Sequence, residues 1–188
     1  MADQLYLSYR MRGWTAPNML RPYEKLLRMF PYSRLSKGET ILRLQAVSQI
    51  EPTLFEHSFE TPPDPEAVMI AVREFATGDS AMALDTWWDL WQFEKDWKLT
   101  PARVTLACFG PEFEADREDD LRIEFGIDTL FLPQTELPEA LFMARSNIRS
   151  LLHLVRELDG ALNAESRKLW TESGDNFAER LQAALEEA

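Results

Sequence analysis

Cysteine is almost missing from this chain. Cys108 is the single one among 188 residues, so neither an internal disulfide nor a multi-thiolate metal site can be built. Histidine is nearly as scarce, with only His57 and His153, and nothing local places either beside Cys108. A Cys–His nucleophile needs both side chains in hydrogen-bond reach and a third group to orient the base. Seven glycines leave little material for phosphate-cradling loops, and no Gly-x-Ser-x-Gly, P-loop, Rossmann glycine pattern or His-Glu-x-x-His is present. No apolar run nears the roughly 20 residues that cross a bilayer. The opening MADQLYLSYR has Asp3 and no apolar core of the secretory type. These absences give the expectation of a cytoplasmic protein away from membranes, with no cofactor and no metal. They favour a non-catalytic protein without deciding whether it is an enzyme.

Large aromatics, by contrast, are concentrated. Trp87, Trp88, Trp91 and Trp97 fall within eleven residues, in TWWDLWQFEKDW. At roughly 150–250 Å² each they can hide about 600–1000 Å², so they either cement a core or mark a surface that something else covers. With 45% hydrophobic residues and 11% aromatics the composition is globular. The net charge of −12 is unevenly placed: residues 1–50 hold eight Lys/Arg against three acids, and the rest twelve against twenty-nine. An overall negative field opposes nucleic acid.

Periodicity places the elements. Gln4–Arg12 alternates as a half-buried strand and stops at Gly13. Thr15 and Pro17 suit a helix start, after which Met19, Tyr23, Leu26 and Phe30 share one face and Arg21, Lys25 and Arg28 the other. Residues 39–47 and 53–60 read as two further strands, and Asp64-Pro65-Glu66 opens a second helix that runs to about Ala76, with Gly78 as its left-handed end. The tryptophan run also fits a helical stripe of Leu84, Trp87, Trp88 and Trp91. A strand is favoured because Thr and Trp prefer pleated structure and Glu94-Lys95-Asp96 suits a hairpin into residues 103–109. That strand sends Trp87, Trp91 and Phe93 one way and Leu84, Trp88 and Leu90 the other. A third strand follows at 121–131.

This order predicts an α+β fold: a ferredoxin-like βαββαβ core whose antiparallel sheet is extended by a β-meander. An αα-hairpin follows, one helix from about Pro138 to Gly160 and a second from Asn163 to Leu185. The expected division is a sheet domain over residues 1–135 and the helical hairpin, 136–188, packed on it.

Candidate functional residues are few. Trp87, Trp88, Trp91 and Trp97 suit a ligand or interface role, since Trp and Arg are enriched at hot spots. Arg145 and Arg149 stand four apart on the long helix and could join them in a pocket for an anionic or aromatic ligand. Arg21, Lys25 and Arg28 form a basic face, best read as solvated and partly neutralised by Glu24. The acidic run EFEADREDD, residues 112–120, lacks EF-hand spacing and reads as a solvated connection. The resulting expectation is a binding or interaction module that self-associates or takes a protein partner through the Trp-rich strand or the C-terminal helices. The alternative is a small-molecule binding protein or enzyme with its pocket between sheet and C-terminal helices.

Overall fold

A computed structural model describes residues 3–132, 137–173, 179 and 181. In chain order the elements are β1 (Gln4–Met11), α1 (Leu20–Met29), β2 (Thr40–Ala46), β3 (Phe55–Phe59), α2 (Pro65–Phe75), β4 (Ser80–Phe93), β5 (Trp97–Phe109), β6 (Leu121–Ile127), α3 (Pro138–Ala161) and β7 (Ala164–Thr171). The fold is mixed α+β: the strands form one antiparallel sheet of seven in the order β3-β2-β4-β5-β6-β1-β7.

The strand order differs from the ferredoxin-like expectation. A split βαβ unit leaves one strand between β1 and β2, whereas here β4, β5 and β6 all stand between them. The long β4–β5 hairpin and its continuation into β6 take the positions beside β1, so the meander lies inside the sheet and does not extend it. The expected C-terminal helical hairpin is also corrected. After α3 the chain turns into β7, which pairs β1 from Leu5↔Thr171 to Met11↔Ala164. Residues 164–171 alternate, with Leu169 and Thr171 buried opposite Ser166, Lys168 and Trp170, a period-2 pattern that a helix cannot satisfy. The remainder of the expected second helix lies largely outside the described residues.

Local chemistry explains the helices. Asp64 caps α2, its carboxylate accepting from the Glu66 N–H at 3.1 Å, with Pro65 in the first turn. The helix ends on Ala76 in an extended conformation, not on a left-handed Gly78. Gly13, at φ +58°, does turn the chain out of β1. The Thr15-Ala-Pro17 segment forms a turn that Asn18 ties to Gly13 and Thr15, and α1 begins only at Leu20.

One hydrophobic cluster joins one sheet face to all three helices. It contains Leu5, Leu7 and Tyr9 of β1, Leu84, Trp88 and Leu90 of β4, Tyr23 and Leu26 of α1, Val68 and Val72 of α2, and Leu151 and Val155 of α3. Trp88 is 4% exposed, edge-on to Phe30 at 5.9 Å and tilted against Phe125 at 5.8 Å. Among the described residues all the helices stack on one side, so no described helix covers the other side of the seven-stranded sheet.

Candidate functional site: the open face of the sheet

Register fixes which side chains share the open face. One row crosses all seven strands as Ser58, Ile41, Asp85, Thr105, Glu124, Tyr6 and Trp170. The next row runs Glu56, Arg43, Ala83, Ala107, Arg122, Ser8 and Lys168. Cross-strand neighbours on one face interact directly, and the acids Asp85 and Glu124 of the first row stand beside Arg43 and Arg122 of the second. Arg43 Nε meets Glu56 Oε2 at 2.8 Å while its Nη1 pairs with Asp85, which also accepts from the Thr105 hydroxyl at 2.7 Å. Burial pushes the Glu124 carboxyl upward, against the pull of the neighbouring Arg122.

The acidic connection of residues 112–120 is solvated only in part: Glu112, Asp116 and Glu118 are exposed, but Phe113 and Asp119 are buried. It folds back over one end of this face because it carries an apolar anchor: Phe113 is 2% exposed and stacks on Phe109 at 5.9 Å, in a satellite cluster with Ala81 and Ala107. Gly110 permits the fold-back, since a Cβ there would stand 2.2 Å from the Gly78 carbonyl oxygen. The loop then delivers Arg117 and Asp119. The Arg117 guanidinium carbon lies over the Phe109 ring, 3.3 Å from its centroid, and the group bonds Glu114 and Asp119 at 3.1 and 2.9 Å. Asp119, 6% exposed, also accepts from Arg122 Nε at 2.6 Å and from the Ser8 hydroxyl at 2.9 Å. Ser8 in turn accepts from Trp170 Nε1 at 2.9 Å, and Trp170 stacks on Tyr6 at 4.4 Å.

At the other end, β4 and β5 project as a two-stranded arm beyond their neighbours. Trp87 donates from Nε1 to the Glu39 carbonyl at 3.1 Å, rests against Gly38, and has Arg103 over its ring at 5.4 Å. Gly38 is required there, because a Cβ would come within 2.9 Å of the indole. Farther out, Trp91, Phe93, Trp97, Ile127 and Leu132 surround a depression of about 460 Å³. Phe93 and Leu99 are exposed beside it.

Pleating therefore separates the tryptophans as the sequence reading expects. Trp88 belongs to the core, while Trp87 and Trp91 lie half-buried on the open face with Trp97 across the hairpin from Phe93. Arg145 and Arg149 are exposed on α3 and do not line the depression beside Trp91. The tryptophans and these two arginines thus do not enclose one cavity. On α1, Arg28 pairs with Glu24 at 2.8 Å, and Lys25 Nζ donates to the Ala161 carbonyl at the end of α3 at 3.1 Å. Arg21 lines a small cleft of about 210 Å³ beside Trp14 and Asn163. Glu24 is shared between Arg28 and Arg73 of α2, so it offsets only part of this face.

Cys108 is fully buried on the helix side, and burial raises its thiol pKa well above the ordinary range. His57 is exposed on edge strand β3 and His153 is exposed on α3, 3.5 Å from Glu157, so the three do not assemble. Among the described residues no cluster of three His, Cys, Asp or Glu could hold a metal ion. None of their helices is long and apolar enough to cross a membrane.

Ser8, Arg117, Asp119, Arg122 and Trp170 were not singled out from sequence. Arg122 had a signal, since LRIEFGI alternates and puts Arg122 and Glu124 opposite Leu121 and Ile123. Arg117 and Asp119 were hidden by the acidic excess around them. Comparisons with protein-family models, with curated proteins and with solved structures give no match to this chain.

Proposed function

We propose that the protein is a non-catalytic binding module that docks a positively charged protein partner on the open face of its sheet. The observation that supports this most is the make-up of that face. Strands β4, β5, β6 and β7 place Trp87, Trp91, Arg103, Arg122 and Trp170 on it, and among the described helices only α3 reaches its rim, at Ala144 beside Trp91; Trp and Arg dominate interface hot spots. The face is polar between its aromatics, as in partners that associate and separate; a permanent dimer seam is more apolar. A charge of −12 favours encounter with a basic protein and makes two copies of this chain repel. A reducing, cytoplasmic setting suits the one buried thiol.

The test is affinity capture from the source cell with wild type, with Trp91→Ala/Arg103→Ala and with Arg145→Ala/Arg149→Ala, the fold of each checked by circular dichroism. A basic protein held by wild type and by the α3 variant but lost with the open-face variant is the expected result. Loss with the α3 variant alone, or a stable homodimer as the only complex, overturns the reading.

A further inference from the structure

Where β6, β1 and β7 meet the folded-back loop, the open face holds a cavity of about 440 Å³. Ser8, Arg122, Lys168 and Trp170 line it from the strands, Arg117 and Asp119 from the loop. Asp119 is saturated, taking hydrogen bonds from Ser8, Arg117 and Arg122. Cationic donors are left over. Arg122 commits Nε to Asp119, while Nη1 is 3.9 Å from Glu124 and the guanidinium otherwise faces the rings of Tyr6, Phe109 and Trp170 at 5.4–5.6 Å. Lys168 Nζ lies 5.8 Å from the Trp170 ring and has no ion pair among the described residues. Arg117 Nε is buried without a hydrogen-bond partner.

Such a surplus of buried or half-buried donors is costly unless an acceptor meets it. The two other carboxylates of the lining, Asp116 and Glu118, are exposed, and Arg10 adds a further cation. The lining therefore carries four cations against three carboxylates in a chain whose net charge is −12. A lining with more cations than carboxylates, including Arg122 whose Nη2 has no hydrogen bond among the described residues, matches one ligand chemistry. We propose that this cavity is a binding site for an oxyanion, a carboxylate or phosphate group. The outer edge of Arg122 holds it in a two-point contact, Lys168 supplies a point charge, and Trp170 forms the aromatic wall. This site shares Arg122 and Trp170 with the docking face, but the docking test acts at Trp91 and Arg103, so either reading can fail alone.

The test is a titration of the full chain followed by amide and indole NMR shifts. Sodium acetate and inorganic phosphate are the probes, and sodium chloride at matched ionic strength is the control. Saturable shifts at Ser8, Arg122, Lys168 and the Trp170 indole with acetate or phosphate, and not with chloride, are expected; which probe saturates first distinguishes carboxylate from phosphate. Lys168→Ala, an exposed position, weakens binding by roughly two- to fivefold. Arg122→Lys, which keeps the charge and loses the fork, weakens it by about tenfold or more. Shifts that never saturate, that chloride reproduces, or that both variants leave unchanged overturn the proposal.

Discussion

The Asn147 side chain bonds both backbone groups of Trp91: its Oδ1 accepts from the Trp91 N–H and its Nδ2 donates to the Trp91 carbonyl, each at 2.9 Å. Strand β2 pairs β4 only through Asp85, so beyond that point the outer edge of β4 has no neighbouring strand. Asn147, 2% exposed on α3, supplies there the donor and acceptor that a peptide group would, and also donates to the Leu130 carbonyl at 2.7 Å. Ser33 does similar work nearer the sheet, its N–H donating to the Trp87 carbonyl at 2.7 Å. These contacts tie the outer edge of the aromatic arm to α3 and to the loop after α1.

Replacing Asn147 by Leu therefore strips three backbone groups of their partner. At about 1–3 kcal/mol for each buried polar group left unpaired, Asn147→Leu destabilises the fold by roughly 3 kcal/mol or more. Urea unfolding measures that loss, and hydrogen exchange reports a faster Trp91 amide.

The paired tryptophans separate core from surface. Trp88→Ala removes a ring from the core and costs about 3–5 kcal/mol, whereas Trp87→Ala and Trp91→Ala cost much less because those rings are half-exposed. Acrylamide quenching of single-tryptophan variants checks the same assignment, with Trp88 the least accessible of the three.

Much of this was legible in the sequence, for identifiable reasons. β4 followed from alternation through Ala81–Phe93, and α2 from Asp64-Pro65-Glu66, both local signals that packing did not override. Pairing order was not legible, because a hairpin rule says which strands touch in sequence and nothing about where β1 enters the sheet. β7 was read as helix because the Leu and Phe spacing after it dominated a short alternating segment. The Arg117–Asp119–Arg122 cluster was hidden for a similar reason: Phe113 is a single apolar residue within a charged run, yet its burial pins the whole loop.

Glu124 makes stability depend on pH. Its folded pKa is raised above the ordinary 4.5, chiefly by burial, so the folded state holds this proton more tightly than the unfolded chain. The associated stability is fully present below about pH 4.5 and is lost as pH rises through the folded value. Glu124→Gln, neutral at every pH, is more stable than wild type near pH 7, and that difference shrinks as acid is added. Parallel denaturation series at several pH values read the convergence.

The buried thiol gives a simple check of the core. Cys108 of the native protein does not react with an aromatic disulfide reagent, because burial both shields the sulfur and disfavours the thiolate. Reaction appears only across the unfolding transition, one equivalent per chain.

The most direct test of the proposed docking face is hydroxyl-radical footprinting of the full chain, alone and with the basic protein that the proposal expects it to capture. Protection of Trp87, Trp91 and Phe93, with Ile70 of α2 and Phe142 of α3 still oxidised as in the free chain, is the predicted result. Protection of Ile70 or Phe142 while the open-face rings remain reactive contradicts it, and places the partner on the helices.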